Sequence, residues 1–406
     1  MPGMGISSSG LSRLPLKPRW LEALQPLDCC DLRGAARSCQ HPSMNEPIFD
    51  VPKPPFPAQE ASTPWPTKAW PRGEAPETVD LEGLLDELFA VDGPYATTNA
   101  AVIIHRGRMV GERYAGVREF FDRPPEPVDE SSPLVSWSMA KSMTQALASM
   151  LIEEGRLSLD EAPGTKGWNA SDPRSTITLR QMLQMRDGLA WTEVYELGEE
   201  SHVIEMLYGS GDQDVAAYVA ARPLAKEPGS TYAYSSGTTN LISAAIADRV
   251  GHGEAYKAFM SERLFDPLGM SSAYPTMDPQ GVFIGSSYVH ATARDFAKFG
   301  LLYLRGGIWE GEQLVPTSAV ELARSPSGYD PDNDHCYSHH WWIPHGPYGA
   351  FSALGFEGQS IDLVPMLDLA IVRLGRSSDD QKANLTQWRL RAMEAFAKAS
   401  GLSHQR

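Results

Sequence analysis

The chain is predicted to fold as an α+β body in which N- and C-terminal strands close one antiparallel sheet around a largely helical insert. Three observations predict it. Apolar strand-like runs stand near both ends, at about 99–115 and 350–375, and a long helix-patterned stretch follows the second. Between about 138 and 310 the apolar positions follow helical spacing, broken by Gly and Pro turns. No segment of the chain repeats another, which excludes a solenoid or propeller.

Residues 1–75 are rich in Pro, Ser and Ala, carry no sustained period, and include Pro52-Lys53-Pro54-Pro55-Phe56-Pro57. They are expected to be an irregular extension of a single domain spanning about 76–400. The stretch from Val79 to Phe89 reads as a short amphipathic helix, and Asn99–Ile104 as a buried strand. His105-Arg106-Gly107-Arg108 turns the chain into a second strand near Met109–Tyr114, making a hairpin. Apolar residues Met143, Ala146, Leu147, Met150 and Leu151 then mark a buried helix face over 138–155, stopped by Gly155. Strands return at Gln359–Val364 and Leu369–Leu374, and a helix runs from about Asp380 to Ala399.

Its 406 residues suit one large or two interlocked domains, and 51 acidic against 35 basic side chains give a net charge of −16. The charge argues against nucleic acid or an anionic membrane as its main partner. No apolar run approaches the ~20 residues of a membrane span. Three of four cysteines (Cys29, Cys30, Cys39) crowd into the first forty residues and only Cys336 lies in the body, so no disulfide framework is indicated. Arginines and prolines break every apolar run of the N-terminus, unlike a secretory signal, so the chain reads as cytoplasmic, with Met44 as an alternative start.

The chemistry concentrates in Ser138-Met139-Ala140-Lys141. On a helix, residues i and i+3 lie about 5–6 Å apart on one face, so the Lys141 amine can reach the Ser138 hydroxyl. Burial beside Trp137 and Met139 would lower the lysine pKa from ~10.4 toward 7, about 4.6 kcal/mol of differential interaction, leaving a base able to activate the serine. Such chemistry needs a further proton carrier and an oxyanion hole. Pro228–Gly237 places Tyr234 in a turn of small residues, and Leu354-Gly355-Phe356-Glu357-Gly358-Gln359 precedes a strand with glycines that permit close approach.

Taken in this order, these motifs resemble the serine β-lactamase and penicillin-binding family, in particular its class C branch with the related esterases and 6-aminohexanoate-dimer hydrolases. The resemblance covers about 80–375 and includes Leu183–Leu189, Leu264–Met270 and Ala293–Gly300. It implies the β-lactamase/transpeptidase-like fold, Ser138 as nucleophile, Lys141 as its base and Tyr234 as proton carrier to the leaving group. It further implies an oxyanion hole from the backbone N–H groups of Ser138 and Gln359, substrate contacts from Tyr195, Ser236, Phe356 and Gly358, and no cofactor or metal. The partner would be a small-molecule ester or amide.

Two positions depart from the family pattern. Phe356 stands where relatives keep Lys or His, and Ser236 where β-lactamases keep Asn. Losing a cation worth ~1.5–3 kcal/mol to a bound carboxylate favours a short ester or small amide over a penicillin. A class C-like β-lactamase, a D-amino-acid peptidase and a covalent receptor without turnover are the alternatives. Tyr195 lies in a loop dense in acid, with Glu193, Glu196, Glu199 and Glu200, and either closes on the substrate amide or is an ordinary tyrosine in a solvated acidic loop.

Other signals point nowhere specific. Asp330–Asp334 begins like a calcium loop, but His335 and Trp341 occupy its Gly and Glu positions. His339 and His340 would face opposite sides of a strand through Trp341-Trp342-Ile343, which argues against a metal site. Arg294 and Asp295 read as a surface charge and an N-terminal cap.

Overall fold

A computed structural model of the protein describes residues 51–402 except 92, 96, 120–123 and 196–199. Helix α1 (Leu81–Leu88) leads into the hairpin β1 (Thr97–His105) and β2 (Arg108–Tyr114). The middle contains helices α2 (Ala140–Glu153), α3 (Ser236–Val250) and α4 (Ala293–Leu304). Strands β3 (Gly328–Asp330), β4 (His335–Ser338), β5 (Trp341–Pro344), β6 (Phe351–Gly355), β7 (Gln359–Val364) and β8 (Leu369–Arg376) follow, and helix α5 (Asp379–Ala399) ends the chain. The sheet runs β3-β4-β5-β6-β7-β8-β1-β2, antiparallel throughout.

The two ends of the chain meet where β1 pairs with β8, Val102 opposite Val372 and Ile103 opposite Ile371. Successive side chains of β1 enter different cores. Ala101 and Ile103 pack with Leu85 of α1 and with Trp388 and Phe396 of α5, while Ala100, Val102 and Ile104 join the larger core around α2 and α4. Because both faces are covered, the strand reads as a continuous apolar run, and each such side chain contributes roughly 1.5–3 kcal/mol. Helix α4 lies directly on the sheet at Gly300, where a Cβ would come within 2.7 Å of Ile361 Cγ2 and 3.2 Å of Leu363 Cδ2.

The sheet is wider than the sequence suggests. Strands β3 to β5 occupy 328–344, a region whose short apolar runs are interrupted by polar turns. His339 and His340 are not on a strand: both have positive φ (39° and 66°) and form the two-residue turn between β4 and β5. His340 is held there by the Leu183 carbonyl and Thr239 Oγ1, each 3.1 Å away. Among the described residues no group of three or more His, Cys, Asp or Glu is placed to hold a metal ion.

Residues 51–75 are irregular, yet they are strapped to the body rather than extended from it. Trp65 packs on Trp309 with ring centroids 4.9 Å apart, and Trp70 Nε1 donates to the Arg294 carbonyl at 3.1 Å. The Arg324 guanidinium lies 3.9 Å over the Phe56 ring. Cys29, Cys30, Cys39 and Met44 lie outside the described residues. Thr292, rather than Asp295, caps α4, accepting from the Asp295 N–H at 3.2 Å. Arg294 forms a two-pronged pair with Glu112, both bonds 2.8 Å, which ties α4 to β2. No helix among the described residues is long and apolar enough to cross a membrane.

Gly300→Ala tests the helix–sheet contact. The added methyl group cannot fit without displacing Ile361, so urea unfolding is expected to show a loss of ~1–3 kcal/mol despite alanine's better helix propensity. In an Ile361→Ala background, which lacks the obstructing Cγ2, the same Gly300→Ala change should cost less.

Candidate active site

The nucleophile turn is built before α2 starts. Trp137–Met139 form a single 3₁₀ turn, so the helix begins at Ala140 and not at Ser138. Trp137 sits at φ 45°, a conformation that costs a non-glycine residue of order 1–3 kcal/mol and persists only if its surroundings enforce it. They do. Ser136 donates its N–H to the Val289 carbonyl (2.8 Å), and its hydroxyl accepts from the Val289 N–H (3.0 Å). On the other side, Gly355 at the end of β6 approaches so closely that a Cβ would lie 2.5 Å from the Ser136 carbonyl oxygen.

Lys141, on the first turn of α2, is 1 % exposed. Its Nζ lies 3.0 Å from Ser138 Oγ, 2.9 Å from Ser236 Oγ and 3.0 Å from the Ser286 carbonyl oxygen. Burial pulls its pKa down to about 8, against the charge of Glu193, which raises it.

Tyr234 arrives on the loop ahead of α3, whose N-cap is Ser235, its hydroxyl accepting from the Thr238 N–H at 3.0 Å. The Leu183–Leu189 stretch holds that loop. The Met185 carbonyl accepts from the Ala233 N–H (2.8 Å), and the Arg186 guanidinium donates to the Gly229 and Ser327 carbonyls, both at 3.0 Å. The phenol packs against Tyr337 and Trp342 and has its ring centre 4.8 Å from Lys141 Nζ. Burial and then the charge of Glu193 push its pKa up, so it remains a neutral phenol able to donate.

Ser138 and Tyr234 line a cleft of about 710 Å³. Tyr195 and Phe356 stack across it, ring centroids 4.6 Å apart, and Phe356 meets Trp137 edge-on. Helix α5 adds Lys382, whose Nζ is 5.5 Å over the Phe356 ring, and Arg389. The opposite rim carries Asp330 and Asp332 from the β3–β4 turn, which supplies turn hydrogen bonds and no calcium loop.

One expected role needs correction. The Gln359 N–H donates to the Phe356 carbonyl, and its side chain clamps β8, with the Gly375 N–H donating to Gln359 Oε1 at 2.9 Å. It is therefore committed to holding the sheet edge and is not presented as an oxyanion donor. Gly358 also lines the cleft, and it must be a glycine: at φ 80° a Cβ would lie 2.9 Å from Arg373 Nη1 and 2.7 Å from Leu385 Cδ1.

Glu193 is the residue that sequence reasoning missed. It is half-buried where Glu200 is exposed; Glu196 and Glu199 lie outside the described residues. Four donors converge on it: Trp191 Nε1 (2.5 Å), Tyr195 Oη (2.7 Å), the Ser236 N–H (2.9 Å) and Ser236 Oγ (2.5 Å). The Ser236 N–H belongs to the first residue of α3, where the helix dipole favours a carboxylate. Ser236 itself faces Lys141 and Glu193, so its first contacts are within the site. A Trp-x-Glu-x-Tyr pattern spaced to converge on one carboxylate was the only signal in the sequence.

The family model for beta-lactamase matches residues 90–395. The 6-aminohexanoate-dimer hydrolase of Paenarthrobacter ureafaciens is 26 % identical over 322 residues, 74 % of this chain and 76 % of that protein. A Bacillus anthracis protein assigned as a 6-aminohexanoate-dimer hydrolase superposes with a TM-score of 0.65 at 24 % identity, covering 82 % of this chain and 89 % of that one. A penicillin-binding protein homologue from Caulobacter crescentus gives 0.60 at 18 % identity, covering 79 % and 99 %. At these identities the structural likenesses establish the fold.

The depressed Lys141 pKa has a consequence for stability. Between about pH 8 and 10.5 the unfolded chain binds a proton at this lysine that the folded chain has lost, so stability rises with pH there. Denaturant unfolding at pH 7 and pH 10 should show the wild type gaining roughly 2–3 kcal/mol more than Lys141→Met. Equal gains would mean that the amine titrates normally in the fold.

Proposed function

Because the chain belongs to the beta-lactamase family, a superfamily of serine hydrolases, we propose that it cleaves short esters or small amides through an acyl-enzyme on Ser138. The observation that carries this reading is the Ser138 hydroxyl 3.0 Å from a buried lysine amine whose pKa is about 8, on the floor of an open cleft. At pH 7 roughly a tenth of such amines are neutral, against less than a thousandth of ordinary ones.

In this reading Ser138 Oγ bonds to the substrate carbonyl carbon while its proton passes to Lys141. The negative oxygen is held by the Ser138 N–H, in the first turn where backbone N–H groups lack intrahelical acceptors. Tyr234 hands its proton to the leaving group and is reprotonated from Lys141, and water then releases the acyl group by the same steps reversed. Tyr195, stacked on Phe356 and bonded to Glu193, is suited to contact the leaving-group side of the bond.

Phe356 supports a neutral acyl group, as its sequence position suggests. A second reading, a β-lactam or D-amino peptide as substrate, is favoured by Lys382 and Arg389 of α5, cations lining the same cleft that could meet a carboxylate.

A series of p-nitrophenyl esters from acetate to octanoate, with nitrocefin and a 6-aminohexanoate dimer alongside, separates these readings. Ester turnover abolished by Ser138→Ala is expected, with kcat/KM rising with pH through about 8 as Lys141 loses its proton. Nitrocefin turnover matching the esters would favour the second reading. A stoichiometric burst without turnover would indicate a covalent receptor, and turnover surviving in Ser138→Ala would sink the assignment.

A further inference from the structure

A base must present a lone pair to the proton it takes, and the groups around Lys141 Nζ decide where that lone pair points. The Ser286 carbonyl, 3.0 Å away, can only accept. The Ser236 hydroxyl, 2.9 Å away, could either accept from the amine or donate to it. Glu193 removes the choice. Its Oε1 lies 2.5 Å from Ser236 Oγ, and a carboxylate that receives four donors has no hydrogen to offer. The one Ser236 proton therefore points at Glu193 and its oxygen turns a lone pair toward Lys141. A neutral amine has two hydrogens and one lone pair. With its hydrogens taken by Ser236 and Ser286, the lone pair is left facing Ser138.

We propose that Glu193 is a positioning residue that, through Ser236, fixes the hydrogen-bond polarity around Lys141 and aims its lone pair at the Ser138 proton. This rests on the reading of Ser138 as nucleophile and Lys141 as base. During acylation the Ser138 proton moves onto that lone pair as Oγ bonds to the carbonyl carbon. Lys141 becomes an ammonium still held by Ser236 and Ser286, and Glu193 neither gains nor loses a proton.

The other groups facing the amine do not compete for this role. Tyr234 presents its ring to the amine, with the ring centre 4.8 Å away. The Tyr195 hydroxyl donates to the same Glu193 oxygen at 2.7 Å and lies within reach of Ser236. His340, its pKa pushed down to about 3 by burial and then by Lys141, stays neutral and bonds Leu183 and Thr239. The arrangement also explains why a serine can stand where relatives keep asparagine. An asparagine carbonyl can only accept from the lysine, whereas a serine needs a neighbour to orient it.

The test is Glu193→Gln, whose amide can donate to Ser236 and free the serine proton to point at Lys141. The acylation burst with p-nitrophenyl acetate at pH 9, where Lys141 is neutral, is expected to slow roughly 10- to 100-fold. The acid limb of the rate profile should move below pH 8, since the charge that raises Lys141 is gone. In a Ser236→Asn background the same Glu193→Gln change should cost less than about threefold, because the asparagine oxygen needs no orienting partner. An unimpaired Glu193→Gln, or an equal loss in both backgrounds, overturns the proposal; the latter would mean that Glu193 merely holds its loop. If Glu193→Gln does not fold, Ser236→Ala breaks the relay in the middle, and a wild-type burst from it overturns the proposal equally. A Ser138→Ala protein that still gave a burst would overturn the nucleophile reading beneath it, whereas an inactive Ser138→Ala beside an unimpaired Glu193→Gln overturns the relay alone.

Discussion

An amine buried to 1 % exposure must be given acceptors, and much of the site can be understood as the answer to Lys141. An unpaired buried charge costs several kcal/mol. Its three acceptors come from the nucleophile turn, the first residue of α3 and the Ser286 carbonyl, three segments far apart in the chain. Each is held by further bonds. Asn240 of α3 grips Ser286 twice, accepting from its N–H and donating to its hydroxyl, both at 3.2 Å. Moving any one segment would leave a polar group buried without a partner.

The same logic explains the strain at Trp137. A positive φ in a bulky residue is unfavourable locally and is maintained by contacts on both sides. The segment around Val289 pins Ser136 from below, and the end of β6 presses on its carbonyl through Gly355. Strand β6 is positioned by β7, β7 by β8, and β8 by β1 from the far end of the chain. Closing the sheet is therefore what holds the serine in its half-buried, strained turn.

The cleft above is asymmetric in chemistry. Its middle is aromatic, with Tyr195 stacked on Phe356, while one rim is acidic and α5 contributes cations. Seen in the motif alone, Phe356 looks like the loss of a charge. In the fold, Lys382 lies over that same ring, so positive charge has not left the site but comes from another element. A helix at the chain terminus and a strand motif some thirty residues earlier act on one substrate space.

By itself the sequence determined the α+β class, the buried strands at both ends, the α2 and α5 helices, and the Ser138–Lys141 pairing. These are local matters: an apolar period reports a buried face, and a spacing of three on a helix brings two side chains together. Of the outer strands only β5 was legible, at Trp341–Ile343; β3 and β4 were not, because short strands with polar turns carry little period, and the His339–His340 turn carries no Gly or Asn to mark it. Gln359 could be placed at the strand but not assigned its bonds, since the register of β7 against β8 decides them. Only the tertiary structure decided that Glu193 turns inward while its neighbour Glu200 remains exposed. Four acids in one loop look alike in sequence; what distinguishes one of them is that Trp191, Tyr195 and the N-terminus of α3 converge on it from different parts of the fold.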